Sequence, residues 1–283
     1  MTKGVRYMLI AVAFFAIMNL MVKMLPHLPA IEIVFFRSVV SLFLSYIVLK
    51  SKNIPIWGNN KPILILRGLA GAIALTLYFS TLQAIPLASA VTLQYLSPIF
   101  TSIIGIWFVK ERVRPLQWIF FIIAFLGTVV IQGFDIRISL TFGIIGVLSA
   151  ILSGLAYNSV RKLARTDHPL VVVFYFPLVT IPLCSVYLFF DWIQPIGWDW
   201  LLLLMIGITT QIAQLFMTKA YQSEDLSKIS SVSYIGIIFA LGVGYVFFKE
   251  TFNMMSYIGM LIVLVGVILN VGYKQRLERR TNQ

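Results

Sequence analysis

The sequence predicts an all-α polytopic membrane protein, ten transmembrane helices arranged as two inverted five-helix repeats, residues 1–139 and 140–283. Three observations carry that prediction. The chain is 60% hydrophobic and only 11% charged, with a mean hydropathy of +0.94, whereas soluble domains hold about 25% charged residues. Apolar stretches recur along it, broken briefly at prolines, glycines and charges, each with the roughly 20 residues that a helix needs to cross about 30 Å of hydrocarbon. Finally, "YLSPIFTSIIGIWFVKE", Tyr95 to Glu111, returns 139 residues later as "YIGIIFALGVGYVFFKE", Tyr234 to Glu250, with seven of seventeen positions identical.

The spans fall in order at residues 4–24, 31–50, 62–82, 88–109, 115–132, 141–161, 170–190, 198–219, 227–248 and 254–273. Span 1 follows Lys3 and Arg6 but is too long for a secretory signal, and no small-residue cleavage site follows it, so it is expected to remain as a mature helix. Span 2 carries Arg37 about six residues inside its start, and span 3 carries Arg67 with Gly68 and Gly71. Span 4 contains Pro98 in mid-helix, which removes one backbone hydrogen bond. The single cysteine, Cys184, lies in span 7 and excludes an intrachain disulfide framework. Gly242, Gly244, Gly259 and Gly266 in the last two spans permit close helix approach.

Charge fixes the expected orientation. With the N-terminus inside, seventeen of the 22 Lys and Arg residues fall on the cytoplasmic side, while Arg137 and Lys249 lie in outer loops and Lys23, Arg37 and Arg67 fall within or beside spans. The net charge of +12 is therefore a topology signal that implies no nucleic acid. The expected setting is the cytoplasmic (inner) membrane with both termini cytoplasmic, and the expected partners are the bilayer and a small-molecule substrate, with the oligomeric state left open.

The repeat holds its register without a gap: Asn19 matches Asn158, Lys23 matches Lys162, Gly68 matches Gly207, Leu87 matches Leu226 and Gly127 matches Gly266. Because five spans is an odd number, the second copy enters the membrane from the opposite side. Two inverted halves can exchange conformations, so a cavity open to one side becomes open to the other, and this is the logic of a transporter.

The stretches "MNLMVK", "VFFRS", "LRGLAGA" and "AIPLASAVTLQYLSPIFTSIIGIWFVKE" resemble the EamA branch of the drug/metabolite transporter superfamily, over the whole chain. The "RG..G" and "PLA.A......SP.F" phrases look like the group that includes carriers of S-adenosylmethionine, riboflavin and organic anions. The resemblance implies ten helices, a central cavity built mainly by spans 1, 3, 4, 6, 8 and 9, and movement of small metabolites.

Candidate binding residues are polar side chains on those spans. Gln94, Ser97 and Thr101 form a helical stripe on span 4, and Gln211, Gln214 and Thr218 form one on span 8. Ser230, Ser233 and Tyr234 sit on span 9, and Tyr78 and Tyr157 add aromatic faces with hydroxyls. Such residues serve equally well as glue between helices. Asn19 and Asn158 lie too deep to reach water and read either as interhelical bonds or as gates on opposite sides. Arg37, about 9 Å deep at about 1.5 Å per residue, needs a partner: either Glu32 or carbonyls, or an anionic group of the substrate. Lys23, Lys162 and Arg67 read as snorkelling cations, and Glu111 and Glu250 as helix-end caps. The lining suits a polar or zwitterionic metabolite with a flat part, amino-acid-like, nucleoside-like or an organic anion.

No acid lies deep in a span and both histidines lie in loops, so coupling to protons through a buried carboxylate is not expected, and facilitated diffusion or exchange is simpler. The chain has no phosphate-binding loop, no metal-binding helix and no His-Asp or Cys-His pairing inside the membrane. No cofactor is expected. An intramembrane enzyme acting on a lipid or small metabolite, or a channel, remains the alternative to a carrier.

Overall fold

The computed structural model describes residues 3–108, 114–134, 137–223, 232–233 and 235–281, and among these there is helix but no strand. The helices are α1 (Lys3–Lys23), α2 (Ala30–Ser51), α3 (Lys61–Ala84), α4 (Leu87–Gln94), α5 (Ser97–Phe108), α6 (Pro115–Phe134), α7 (Leu140–Leu163), α8 (Pro169–Leu188), α9 (Asp199–Ser223), α10 (Ile235–Phe248) and α11 (Met254–Thr281). Seven segments are long and apolar enough to cross a membrane, α4 and α5 counting as one, and Pro115–Ile131, Ile235–Phe248 and Met254–Asn270 are shorter apolar helices. Large apolar side chains such as Phe43, Ile122, Leu126, Ile238 and Leu261 stand exposed on the outside. That inverts the usual polar surface and marks a polytopic membrane protein.

Proline and a few polar side chains set the helix ends. α6 and α8 begin at Pro115 and Pro169, where a missing N–H costs nothing in the first turn. The Ser139 side chain accepts the Phe142 N–H at the start of α7, and His168 Nδ1 accepts the Leu170 N–H at 3.2 Å at the start of α8. Span 4, expected as one helix, is two. Pro98 has no N–H for the carbonyl of Gln94, so α4 stops at Gln94 and a turn through Tyr95 and Leu96 leads into α5.

The principal pairings are α1 with α9, α3 with α7, α2 with α8, α2 with α9, α3 with α8, α5 with α7, α4 with α10, α1 with α10, and α6 with α11. Shifting every residue by 139 turns each pairing into itself or into another on this list, save α4 with α10, because residues 226–231, equivalent to most of α4, lie outside the described residues. Glycine makes two of the contacts tight: a Cβ on Gly68 would fall 2.6 Å from Val179 Cβ, and one on Gly207 would fall 2.5 Å from Val40 Cβ. These are the same contact at an offset of 139. Likewise a Cβ on Gly127 would fall 2.6 Å from the Val263 nitrogen, and one on Gly266 would fall 2.7 Å from that of Ala124.

Candidate functional site

The break between α4 and α5 lies against a central cavity of about 170 Å3. Its wall takes Phe15 and Asn19 from α1, Arg67 and Tyr78 from α3, Gln94 from α4, Tyr95 from the turn, Ser97 and Pro98 from α5, Ser153 and Tyr157 from α7, Phe176 from α8, Gln214 and Tyr221 from α9, and Phe239 from α10. The wall is thus largely apolar and aromatic with a few polar groups, the usual constitution of a small-molecule site.

The polar atoms are held in different ways. Gln94 Nε2 donates to Ser153 Oγ at 2.8 Å, and the Ser149 hydroxyl, 2.7 Å from the Ala74 carbonyl oxygen, is also 3.0 Å from Gln94 Oε1. Tyr157 packs on Tyr221 with ring centroids 5.6 Å apart. A Cβ on Gly236 would overlap the Tyr95 hydroxyl, so that position must be glycine for the tyrosine to sit as it does. Arg67 Nη2 donates to Gln214 Oε1 at 3.3 Å, and its guanidinium carbon lies 4.6 Å from the Phe176 ring centroid. Buried Asn19 Oδ1 has no hydrogen-bond partner.

A strap of polar contacts lies beside the cavity. At the end of α10, Lys249 takes a left-handed conformation (φ 51°), ending the helix, and the Glu250 N–H donates to the Gly244 carbonyl, six residues back, at 3.0 Å. The chain thereby folds back over Gly244, where a Cβ would come 2.7 Å from Glu250 Oε2. The carboxylate accepts Lys23 Nζ at 2.7 Å and the N–H of Leu87 at 2.8 Å, while Lys23 also donates to the Ile85 carbonyl at 2.6 Å. Leu87 itself lines the cavity. This strap joins the end of α1, the start of α4 and the end of α10.

Of the residues predicted from sequence, Asn19, Tyr78, Gln94, Ser97, Tyr157 and Gln214 come together on the cavity wall. Asn158 does not line it: Nδ2 donates to the carbonyls of Thr101 at 2.8 Å and Gly154 at 3.0 Å, tying α7 to α5. Gln211 ties α9 to α2 by accepting from Ser41 and donating to Ser45 Oγ at 2.7 Å. Tyr234 lies outside the described residues, as does Glu111. Arg37 pairs neither with Glu32, whose Oε2 accepts the Ile193 N–H, nor with carbonyls. Its guanidinium is 1% exposed, without a hydrogen-bond partner, 5.2 Å from the Phe176 ring. Two expected snorkelling cations are held by the protein instead: Lys23, half-buried with its side chain 12% exposed, in the strap, and Arg67, buried at 4% exposed, on the cavity wall. Helix-end position suggested water; the packing of neighbouring helices removes it. Sequence reasoning missed Tyr95, Ser153, Phe176 and Tyr221. A signal existed for Phe176, which breaks the repeat by standing opposite Arg37.

The sequence profile of the EamA-like transporter family matches residues 2–133 and again 141–272. The pseudopaline exporter CntI of Pseudomonas aeruginosa is 32% identical over 272 residues, 94% of each chain. Solute carrier family 35 member G1 of Mus musculus is 27% identical over 93% of this chain and 76% of its own. An S-adenosylmethionine uptake transporter of Rickettsia felis is 23% identical over 99% of this chain and 96% of its own. A protein of known crystal structure superposes with a TM-score of 0.72 over 97% of this chain and 98% of its own at 18% identity, which speaks to the fold alone.

Proposed function

Because the chain belongs to the EamA-like transporter family, and is a membrane-embedded carrier of small metabolites rather than an enzyme, we propose that it works by alternating access between two inverted five-helix halves. Its substrate is a small polar metabolite, bound in the central cavity by at least two of Asn19, Tyr78, Gln94, Ser97, Tyr157 and Gln214. The repeat units are residues 1–139 and 140–283, both termini are cytoplasmic and the setting is the inner membrane. The observation that carries the reading is the pair of equivalent contacts, Gly68 on Val179 and Gly207 on Val40, made by α3 and α9, two helices that also wall the cavity: what one half does at this interface the other repeats, as exchange of conformations requires. Transport proceeds as export or exchange, and the relative named as an exporter supports the outward direction.

Reconstituted vesicles test this directly. Saturable counterflow, faster when substrate is present on the far side, is the expected result. Ohmic currents would make the protein a channel, and chemical turnover of the solute in detergent would make it an enzyme. For topology, cysteines introduced as Ser51→Cys and Trp198→Cys should label from opposite faces of sealed vesicles. Labelling of both from one face would end the ten-span reading.

A further inference from the structure

We propose that the substrate is a metabolite with a single carboxylate, and that this carboxylate docks on Arg67. The inference rests on the carrier reading above and narrows its substrate class. Among the described residues lining the cavity, Arg67 is the one charged side chain. It is 4% exposed, its Nη1 has no hydrogen-bond partner, and its sole side-chain acceptor is the neutral Gln214 Oε1 at 3.3 Å. Close behind it stands a second cation. Arg37 is 1% exposed with Nε, Nη1 and Nη2 all unpartnered, and both guanidinium groups rest on the ring of Phe176, at 5.2 and 4.6 Å from its centroid. The carboxylates that form ion pairs among the described residues are elsewhere, Glu250 with Lys23 and Asp199 with His27.

A buried cation without an anion is costly, and an aromatic face returns only a small part of its lost hydration. A pair of them beside an otherwise neutral cavity leaves a positive potential that an anionic ligand would neutralise. Gln214 engages Nη2, so the free Nη1 is the donor a carboxylate oxygen would meet. The repeat limits the number of anionic groups to one: Arg67 has Ile206 as its counterpart and Arg37 has Phe176, so the other half of the cavity offers no matching cation. A phosphate would need donors for three oxygens, and the remaining polar groups on the wall are scattered hydroxyls and amides with no second cation among them, Gln94 being held by Ser153. The aromatic surfaces of Phe15, Tyr78, Tyr157 and Phe176 then receive the uncharged body of the ligand.

A matched series tests the charge requirement on the purified full chain: 3-phenylpropionate, 3-phenylpropionamide, 3-phenylpropylamine and 2-phenylethylphosphonate, with binding read by thermal shift and calorimetry. The carboxylate should bind at least about tenfold more tightly than the amide, the amine should not bind, and the phosphonate should rank below the carboxylate. In Arg67→Gln the difference between carboxylate and amide should shrink to less than about twofold, with Arg67→Lys between the two. The series on the unaltered protein decides the matter even if a variant fails to fold. Equal binding of carboxylate and amide, preference for the amine or the phosphonate, no binding by any probe, or a carboxylate preference that survives Arg67→Gln would each overturn the proposal. Carboxylate binding with no counterflow would sink the carrier mechanism and leave this site standing; counterflow of a neutral solute untouched by Arg67→Gln would do the reverse.

Discussion

Gln94 and Gln211 are both amides on helices beside the cavity, yet only the first lines it. Gln211 uses its oxygen and nitrogen on Ser41 and Ser45, which makes it a tie between α9 and α2. Interhelical hydrogen bonds in membranes average about 0.6 kcal/mol, so Gln211→Ala should lower unfolding free energy in mixed micelles by about 1 kcal/mol and leave transport affinity unchanged. Gln94→Ala should weaken transport affinity with the protein still folded. A second residue-scale effect belongs to His168, whose pKa lies below 6.5 because of desolvation first, then Lys52 and Lys219. Its neutral Nδ1 accepts the Leu170 N–H, and a protonated ring cannot. The unfolded chain therefore binds more protons just below pH 6.5, and stability falls as pH drops through that window. The melting temperature of the native protein should fall between about pH 7 and 5.5 by more than that of His168→Asn, whose cap does not titrate. Sequence spacing placed Gln94 and Gln211 alike, because a stripe shows which residues share a face and not which neighbour meets it. Arg67 was misplaced for a related reason: depth along one helix says nothing of the helices packed around it.

At the scale of elements, the ten apolar stretches were legible from hydropathy, and the interruption of span 4 was legible from Pro98. A proline inside a helix costs about 3 kcal/mol, because its ring clashes with the preceding turn and it offers no N–H. Pro98→Ala should let α4 and α5 join through Tyr95, raising the melting temperature. Transport should slow, because Tyr95, Ser97 and Pro98 would leave their places on the cavity wall. A melting temperature that falls would mean that the break is held by tertiary packing and not by the missing N–H. The strap of Lys23, Ile85, Leu87 and Glu250 was not legible. Its partners are separated by up to 227 positions in the chain, and the helix end that aims Glu250 depends on a left-handed lysine, a conformation for which Lys249 carries no sequence signal.

At the scale of the whole molecule, the offset of 139 relates Gly68 to Gly207 and Gly127 to Gly266, and each pair makes equivalent contacts. It could not predict where equivalent residues behave differently. Asn158 clamps Thr101 and Gly154, whereas its counterpart Asn19 faces the cavity beside Phe15 and Ala240, the positions equivalent to Gly154 and Thr101. Lys23 meets Glu250, whereas its counterpart Lys162 lies 4.8 Å from the Phe108 ring. In the alternating-access cycle proposed above, spin labels at Met24 and Phe247, at the ends of α1 and α10, should report two distances whose balance shifts with substrate. Labels at Ile65 and Leu183, on α3 and α8, should report one. The glycine contacts explain the contrast. If the carrier's second state is its first with the halves exchanged, a contact already present in both halves survives the exchange, and one present in a single half must be broken and remade. On that premise Gly68 against Val179 and Gly207 against Val40 would belong to the stationary frame. On the proposed cycle, a single conformation of this chain separates hinges from moving latches, and the half that is latched now would be the portrait of the other half one step later.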